Sequence, residues 1–143
     1  MQGKNYYIER FYCEHKMNYE TALKELKSGK KYSHWIWYIF PQLKILGKSA
    51  KAVLYGIEDA EEARLYYNDA YLGVKFREIC QVLLECKSEN PFEIMGYPDN
   101  IKLCSSMTLF YIATGDELFK KILDKFYDGK MDEKTVSFLD TLN

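Results

Sequence analysis

Apolar residues recur every three or four positions over most of the chain, the period of a helix that buries one face. Near the N-terminus Tyr7, Ile8, Phe11 and Tyr12 form one such set, and Tyr19, Ala22, Leu23 and Leu26 form a second. With Asn18 as N-cap and Gly29 as stop, the two sets predict a helical hairpin. Asp59 followed three residues later by Glu62 has capping-box spacing and predicts a helix to about Tyr67, with Ala60, Ala63 and Tyr67 inward. A longer helix is expected from about Leu72 to Lys87, with Leu72, Phe76, Ile79, Cys80 and Leu83 as its core stripe. Asn90-Pro91 opens a short helix ending at Gly96, with proline at the first helical position. Tyr97-Pro98-Asp99 opens another, through Ile101, Cys104, Met107, Phe110 and Tyr111 to Gly115. Asp116 caps an amphipathic helix with Leu118, Phe119, Ile122, Leu123 and Phe126, stopped at Gly129. Asp132 starts the last, with Val136, Leu139 and Leu142.

Two stretches depart from this period. Between His34 and Pro41 there is almost no polar residue, so the segment is expected to be buried on nearly all sides as a short central helix, the alternative being a strand. Pro41 ends it by forcing Phe40 toward extended backbone. Ala52 to Ile57, after the Gly47-Lys48-Ser49 turn, is apolar and suits either type. No repeat, low-complexity run or Pro/Gly-rich linker divides the chain. Residues 1–143 therefore read as a single helical domain: all-α, a compact multi-helix bundle around a buried aromatic central segment.

Composition adds exclusions. With 20 basic and 21 acidic residues the chain has no general pull toward a nucleic-acid polymer or an anionic membrane, so any anion site must be a local cluster. There is no transmembrane or secretory apolar run, and the protein is expected in the cytoplasm. Cys13, Cys80, Cys86 and Cys104 have no CxxC spacing, and two histidines cannot assemble a multi-histidine centre. No metal or cofactor is called for, and the cysteines read as reduced core residues. The 13 tyrosines can wall a core or line a pocket for a flat ligand.

The candidate chemistry gathers between Lys30 and Gln42. Lys30, Lys31, Ser33 and His34 are delivered beside Trp35, Trp37 and Tyr38, a combination that can hold a phosphate and an aromatic base together. The competing account is solvated lysines, a hydrogen-bonded core histidine and tryptophans as packing mass. His15 is expected to be exposed. A second cluster is Asp99, Lys102, Ser105, Ser106 and Thr108, in which Lys102 and Ser106 share a helical face. Its hydroxyls otherwise bond back to the preceding turn. Gln42 with Ser49 and Tyr55 is a third group. Lys75 with Arg77 is a fourth, with a surface ion pair as its alternative. There is no GxSxG elbow, Walker loop, GxGxxG or HExxH. Acid-base chemistry would fall to His34 with Asp99 or Glu14.

The string Ser33-His34-Trp35-Ile36-Trp37-Tyr38-Ile39-Phe40-Pro41-Gln42, followed by Leu46-Gly47-Lys48-Ser49 and by Pro98-Asp99-Asn100-Ile101-Lys102-Leu103-Cys104-Ser105-Ser106-Met107-Thr108-Leu109-Phe110, resembles a widespread bacterial domain of unknown function, DUF1810, sometimes labelled calpastatin-like. Arg10-Phe11, Glu62-Ala63 and Leu72-Gly73 extend the resemblance over nearly the whole chain. It departs at Glu14, where the family usually has glutamine, and at Asn68 to Tyr71, where a His-Pro pair is common. The resemblance implies a compact all-helical domain. It also favours a shared pocket for His34, Gln42, Ser49, Lys102, Ser105, Ser106 and Thr108, since a core alone does not demand such polar residues.

The expected function is capture, by sequestration or sensing, of a phosphorylated nucleotide, with an ADP-ribose-related or cyclic nucleotide signal as the best guess. One alternative is an enzyme processing an NAD or ADP-ribose type nucleotide with His34 and Asp99 as acid-base groups. The other is a protein-interaction module presenting its tyrosines.

Overall fold

The computed structural model describes residues 5–141, and among them 71% are helical, with nine α-helices and no strand. In chain order these are α1 (Tyr12–Ser28), α2 (Ile36–Ile39), α3 (Ala50–Leu54), α4 (Ala60–Asn68), α5 (Leu72–Glu85), α6 (Pro91–Met95), α7 (Asp99–Thr114), α8 (Glu117–Tyr127) and α9 (Glu133–Thr141). No helix among the described residues is long and apolar enough to cross a membrane.

The expected N-terminal hairpin is instead one long helix, entered through a 3-10 turn at Ile8–Phe11. Phe11, His15, Tyr19, Ala22 and Leu26 are all buried on a single stripe, which breaking the helix at Asn18 would split. Asn18 lies mid-helix, its amide donating to the Glu14 carbonyl at 2.7 Å. His15, expected at the surface, is therefore fully buried, stacked on Tyr19 and 3.0 Å from the Tyr71 hydroxyl. Gly29 does stop the helix, in the left-handed conformation at φ 93°.

Most other ends follow their local caps. Asn90, Asp116, Ser49 and Asp59 each accept from a backbone N–H of the turn they open. The Asp59 box is not reciprocal in the usual way: the Glu62 carboxylate takes the Glu58 N–H at 2.9 Å and an arginine from the N-terminus. Leu142 lies outside the described residues.

Helix α7 is buried on almost every side because Leu103 and Ser105 to Phe110 all face neighbours, with α4, α6, α8 and α9 packed around it. Phe76 of α5 sits amid Phe40, Tyr66, Phe110 and Phe119, at ring-centroid distances of 6.0, 5.5, 4.5 and 5.3 Å. Of the cysteines, Cys80 is buried and Cys86 and Cys104 are partly so, whereas Cys13, expected inside, is exposed because the stripe of α1 turns away from it.

The stretch after α2 is latched to α4's approach by an isolated parallel bridge between Leu43 and Ile57. The Lys44 N–H donates to the Ile57 carbonyl at 2.8 Å and the Ile57 N–H to the Gln42 carbonyl at 2.9 Å. Gly56 permits this approach, since a Cβ there would fall 2.3 Å from Lys44 Cα. The latch fixes the backbone of Gln42.

Candidate functional site

The segment leaving α1 is a strap held by Glu25. That carboxylate accepts from the Tyr32 and Ser33 backbone N–H groups, the Ser33 hydroxyl and Trp35 Nε1, at 2.9, 3.0, 2.6 and 2.9 Å. Burial alone would push the Glu25 carboxyl up, but these four hydrogen bonds outweigh it and hold it at about 2. Lys31 reaches Asp99 at the start of α7, Nζ to Oδ2 2.7 Å, with its ammonium 4.9 Å from the Trp35 ring centroid. Lys30, Tyr32 and His34 point to solvent.

Beyond the strap, a cleft of about 870 Å³ opens between three parts of the chain. The stretch after α2 supplies Gln42 and Lys48, the first turns of α7 supply Asn100, Lys102 and Ser105, and the α8 to α9 connection supplies Lys130. Tyr97 and Ile101 are exposed apolar surfaces at its edge. Lys48, Lys130 and Lys134, all at this cleft, make no ion pair among the described residues. Asp128, Asp132 and Glu133 also line it, and of these Asp132 is spent on Thr135, accepting from its N–H at 3.0 Å and its hydroxyl at 2.6 Å. Asn100 Oδ1 is sealed from solvent without a partner.

A nook of about 10 Å³ lies behind the cleft, walled by Trp37, Gln42, Tyr55 and Lys102 among others. Gln42 and Lys102 line both spaces. Trp37 Nε1 is sealed from solvent and has no partner. The Lys102 and Lys51 ammonium groups lie 5.5 and 5.1 Å from the Trp37 ring centroid. Burial pushes the Tyr55 phenol up, so it stays a neutral donor and acceptor.

The two clusters read from sequence thus meet, through a subset of their members. Gln42, Lys102 and Ser105 line the cleft and Trp37 the nook, while Trp35 and Tyr38 are too deeply buried to stack on a ligand. Tyr38's carbonyl accepts from the Tyr66 hydroxyl at 2.7 Å. Ser49 caps α3 and lies at the surface. Arg77 folds over the Tyr67 ring, 4.9 Å from its centroid, and donates to the Tyr67 carbonyl at 3.3 Å. Thr108 ties α7 to the approach of α9, donating to the Cys104 carbonyl and accepting from the Asp132 N–H at 2.9 Å. Ser106 is wholly buried. His34 and Asp99 line neither space, so no acid-base pair of these two forms in the cleft. Burial also pushes the Cys104 thiol up to about 11, leaving little thiolate at neutral pH. Sequence reasoning missed Lys48, Asn100, Lys130 and Lys134 as wall residues; Lys48 and Lys130 lie in connections and Asn100 and Lys134 in the first turns of α7 and α9, places that carry no signal of their own.

The model of the family described as "protein of unknown function (DUF1810)" matches residues 5–139, a span holding every wall of the cleft. The chain belongs to the DUF1810 family. The DUF1810 fold of this chain is similar to the crystal structure of the conserved hypothetical protein Rv1873 from Mycobacterium tuberculosis, at 40% identity and a TM-score of 0.91. That likeness covers 93% of this chain and 96% of the other. No curated protein matches the chain.

Proposed function

We propose that this DUF1810 protein binds a small phosphorylated nucleotide, of the ADP-ribose-related or cyclic class, and acts by sequestering or sensing it. The observation that carries the reading is the cleft beside Lys102. Its size, about 870 Å³, is that of a small-molecule site, and it combines apolar faces with Lys48, Lys130 and Lys134, which form no ion pair among the described residues. Lys102 itself holds Asp99 only at 3.8 Å. An anionic ligand gives these unpaired ammonium groups a partner, and Tyr97 and Ile101 offer exposed faces for a flat base.

The test is a thermal-shift series with ADP-ribose, NAD, ADP and cyclic nucleotides on the wild type and on Lys102→Ala, Gln42→Ala and His34→Ala. A ligand at roughly one hundred times its Kd adds about 2.7 kcal/mol to stability. The expected result is a rise in melting temperature that Lys102→Ala and Gln42→Ala reduce and His34→Ala leaves intact. No shift with any nucleotide, or an undiminished shift in Lys102→Ala, would refute the reading. Ligand recovered unchanged after incubation separates binding from the enzymatic alternative.

A further inference from the structure

We infer that the nook behind Gln42 and Lys102 is an oxyanion subsite: it receives one oxygen of the ligand's phosphate, bonded by Trp37 Nε1 and the Lys102 ammonium. This rests on the nucleotide-binding reading above and states which way round the ligand lies.

Three observations support it. The first is the donor set. An indole N–H and a lysine ammonium donate and never accept, so the group that satisfies both is an acceptor. Trp37 Nε1 is sealed and unpartnered, a condition that buried donors seldom tolerate. Trp35 is the internal contrast, because its Nε1 is already satisfied by Glu25 at 2.9 Å.

The second is size. About 10 Å³ is room for a single water-sized atom, which fits one oxygen and excludes a ring or a sugar. The rest of the ligand must therefore stay in the larger cleft, and Gln42 and Lys102, which wall both spaces, mark the passage.

The third is charge. The Lys51 and Lys102 ammonium groups both approach the Trp37 indole, and no aspartate or glutamate lines the nook. The carboxylate beside Lys102 is Asp99, whose other oxygen is held by Lys31 at 2.7 Å. A phosphate oxygen in the nook meets the Lys102 ammonium and draws it away from its long contact with Asp99. With the phosphate inward, the base lies outward along Tyr97 and Ile101.

The wild-type protein tests this through its two indole N–H signals in a proton–nitrogen NMR spectrum, assigned with Trp37→Phe. Adenosine, ADP, ADP-ribose and inorganic phosphate are the probes. The inference expects ADP and ADP-ribose to move the Trp37 indole signal while the Trp35 signal stays, with adenosine moving neither. Trp37→Phe should weaken ADP-ribose binding by roughly tenfold or more, the loss of one charge-assisted hydrogen bond. If ADP-ribose shifts the signals of Ile101 and Gln42 but leaves the Trp37 indole in place, the subsite is wrong and the binding reading survives. If adenosine moves the indole as far as ADP does, the oxyanion assignment is wrong. If no probe changes any signal, both fall.

Discussion

Lys31 and Asp99 meet at 2.7 Å across 68 residues of chain, and their ion pair joins the strap after α1 to the first turn of α7. The Lys31 side chain is only 5% exposed, lies over the Trp35 ring and donates also to the Ser33 carbonyl. Its backbone N–H is held by the Ile94 carbonyl at 2.7 Å. The contact fixes how the tryptophan segment faces Lys102, so it sets the geometry of the cleft without lining it.

Asp99→Asn removes the counter-charge of a nearly buried ammonium. Breaking one side of such a pair leaves the other charge stranded, and the expected cost is about 2–4 kcal/mol. Lys102→Met, which loses only the 3.8 Å contact of a more exposed side chain, should cost under about 1 kcal/mol. Urea denaturation of the two variants checks the order; equal losses would mean that Asp99 serves Lys102 more than Lys31.

Arg10 is a second junction. Its guanidinium donates to both oxygens of the buried Glu62 at 2.9 and 3.2 Å, and to the Leu54, Gly56 and Tyr7 carbonyls at 2.9, 2.7 and 2.7 Å. A lysine has the charge but not the planar fork; it can hold Glu62 Oε2 while Oε1 keeps the Glu58 N–H, but it would leave several of the carbonyl acceptors without their donor. Arg10→Lys should therefore destabilise by about 2–3 kcal/mol in chemical denaturation.

These junctions show where sequence reading stops. Helix ends were legible because Asn90, Asp116 and Gly29 act on their own first or last turn, so the cause and its effect are a few residues apart. The face that a residue presents inside a helix is decided by what packs on it. Thus His15, expected at the surface, is buried, and His34, expected in the pocket wall, lies at the surface; of the two tryptophans the deeper one, Trp35, was spent on Glu25, a residue that reads as ordinary helix surface. Gln42, Lys102 and Ser105 were legible as site candidates through the two polar strings. Lys130 and Lys134 were not, because the α8 to α9 connection and the first turn of α9 close the cleft by tertiary packing that no local period encodes.

Gly73 marks the corner between α4 and α5. A Cβ on it would lie 1.9 Å from the Tyr67 carbonyl oxygen and 2.8 Å from that carbonyl carbon, which is backbone with nowhere to move. Gly73→Ala should cost about 3 kcal/mol or more, the upper range of overpacking. Gly29→Ala meets no atom within 4 Å and pays only for a left-handed alanine, about 1 kcal/mol. Melting temperatures of the pair decide whether close backbone approach or conformation is the stricter demand.

Stability against pH should fall in two separable steps. Burial, aided by the nearby Lys75 ammonium and opposed by Asp69, holds the His15 imidazole down at about 4 against an ordinary 6.5. Between those values the unfolded chain binds the proton and the folded chain does not, so stability is complete above pH 6.5 and declines as pH falls toward 4. The full step is at most about 3 kcal/mol. Glu25, held at about 2 against 4.5, contributes stability that is complete above pH 4.5 and is lost as pH falls toward 2. Asp69 adds to the same acid step: burial would raise its carboxyl, but the Tyr12 hydroxyl and the Leu72 and Tyr71 N–H groups hold it low. His15→Leu should therefore flatten the upper window and leave the lower one, while Glu25→Gln should flatten part of the lower window and leave the upper. Urea midpoints measured from pH 8 to 3 check both signs. A His15→Leu profile with the wild-type slope between pH 6.5 and 4 would show that the imidazole takes up its proton without opening the α1 to α5 contact.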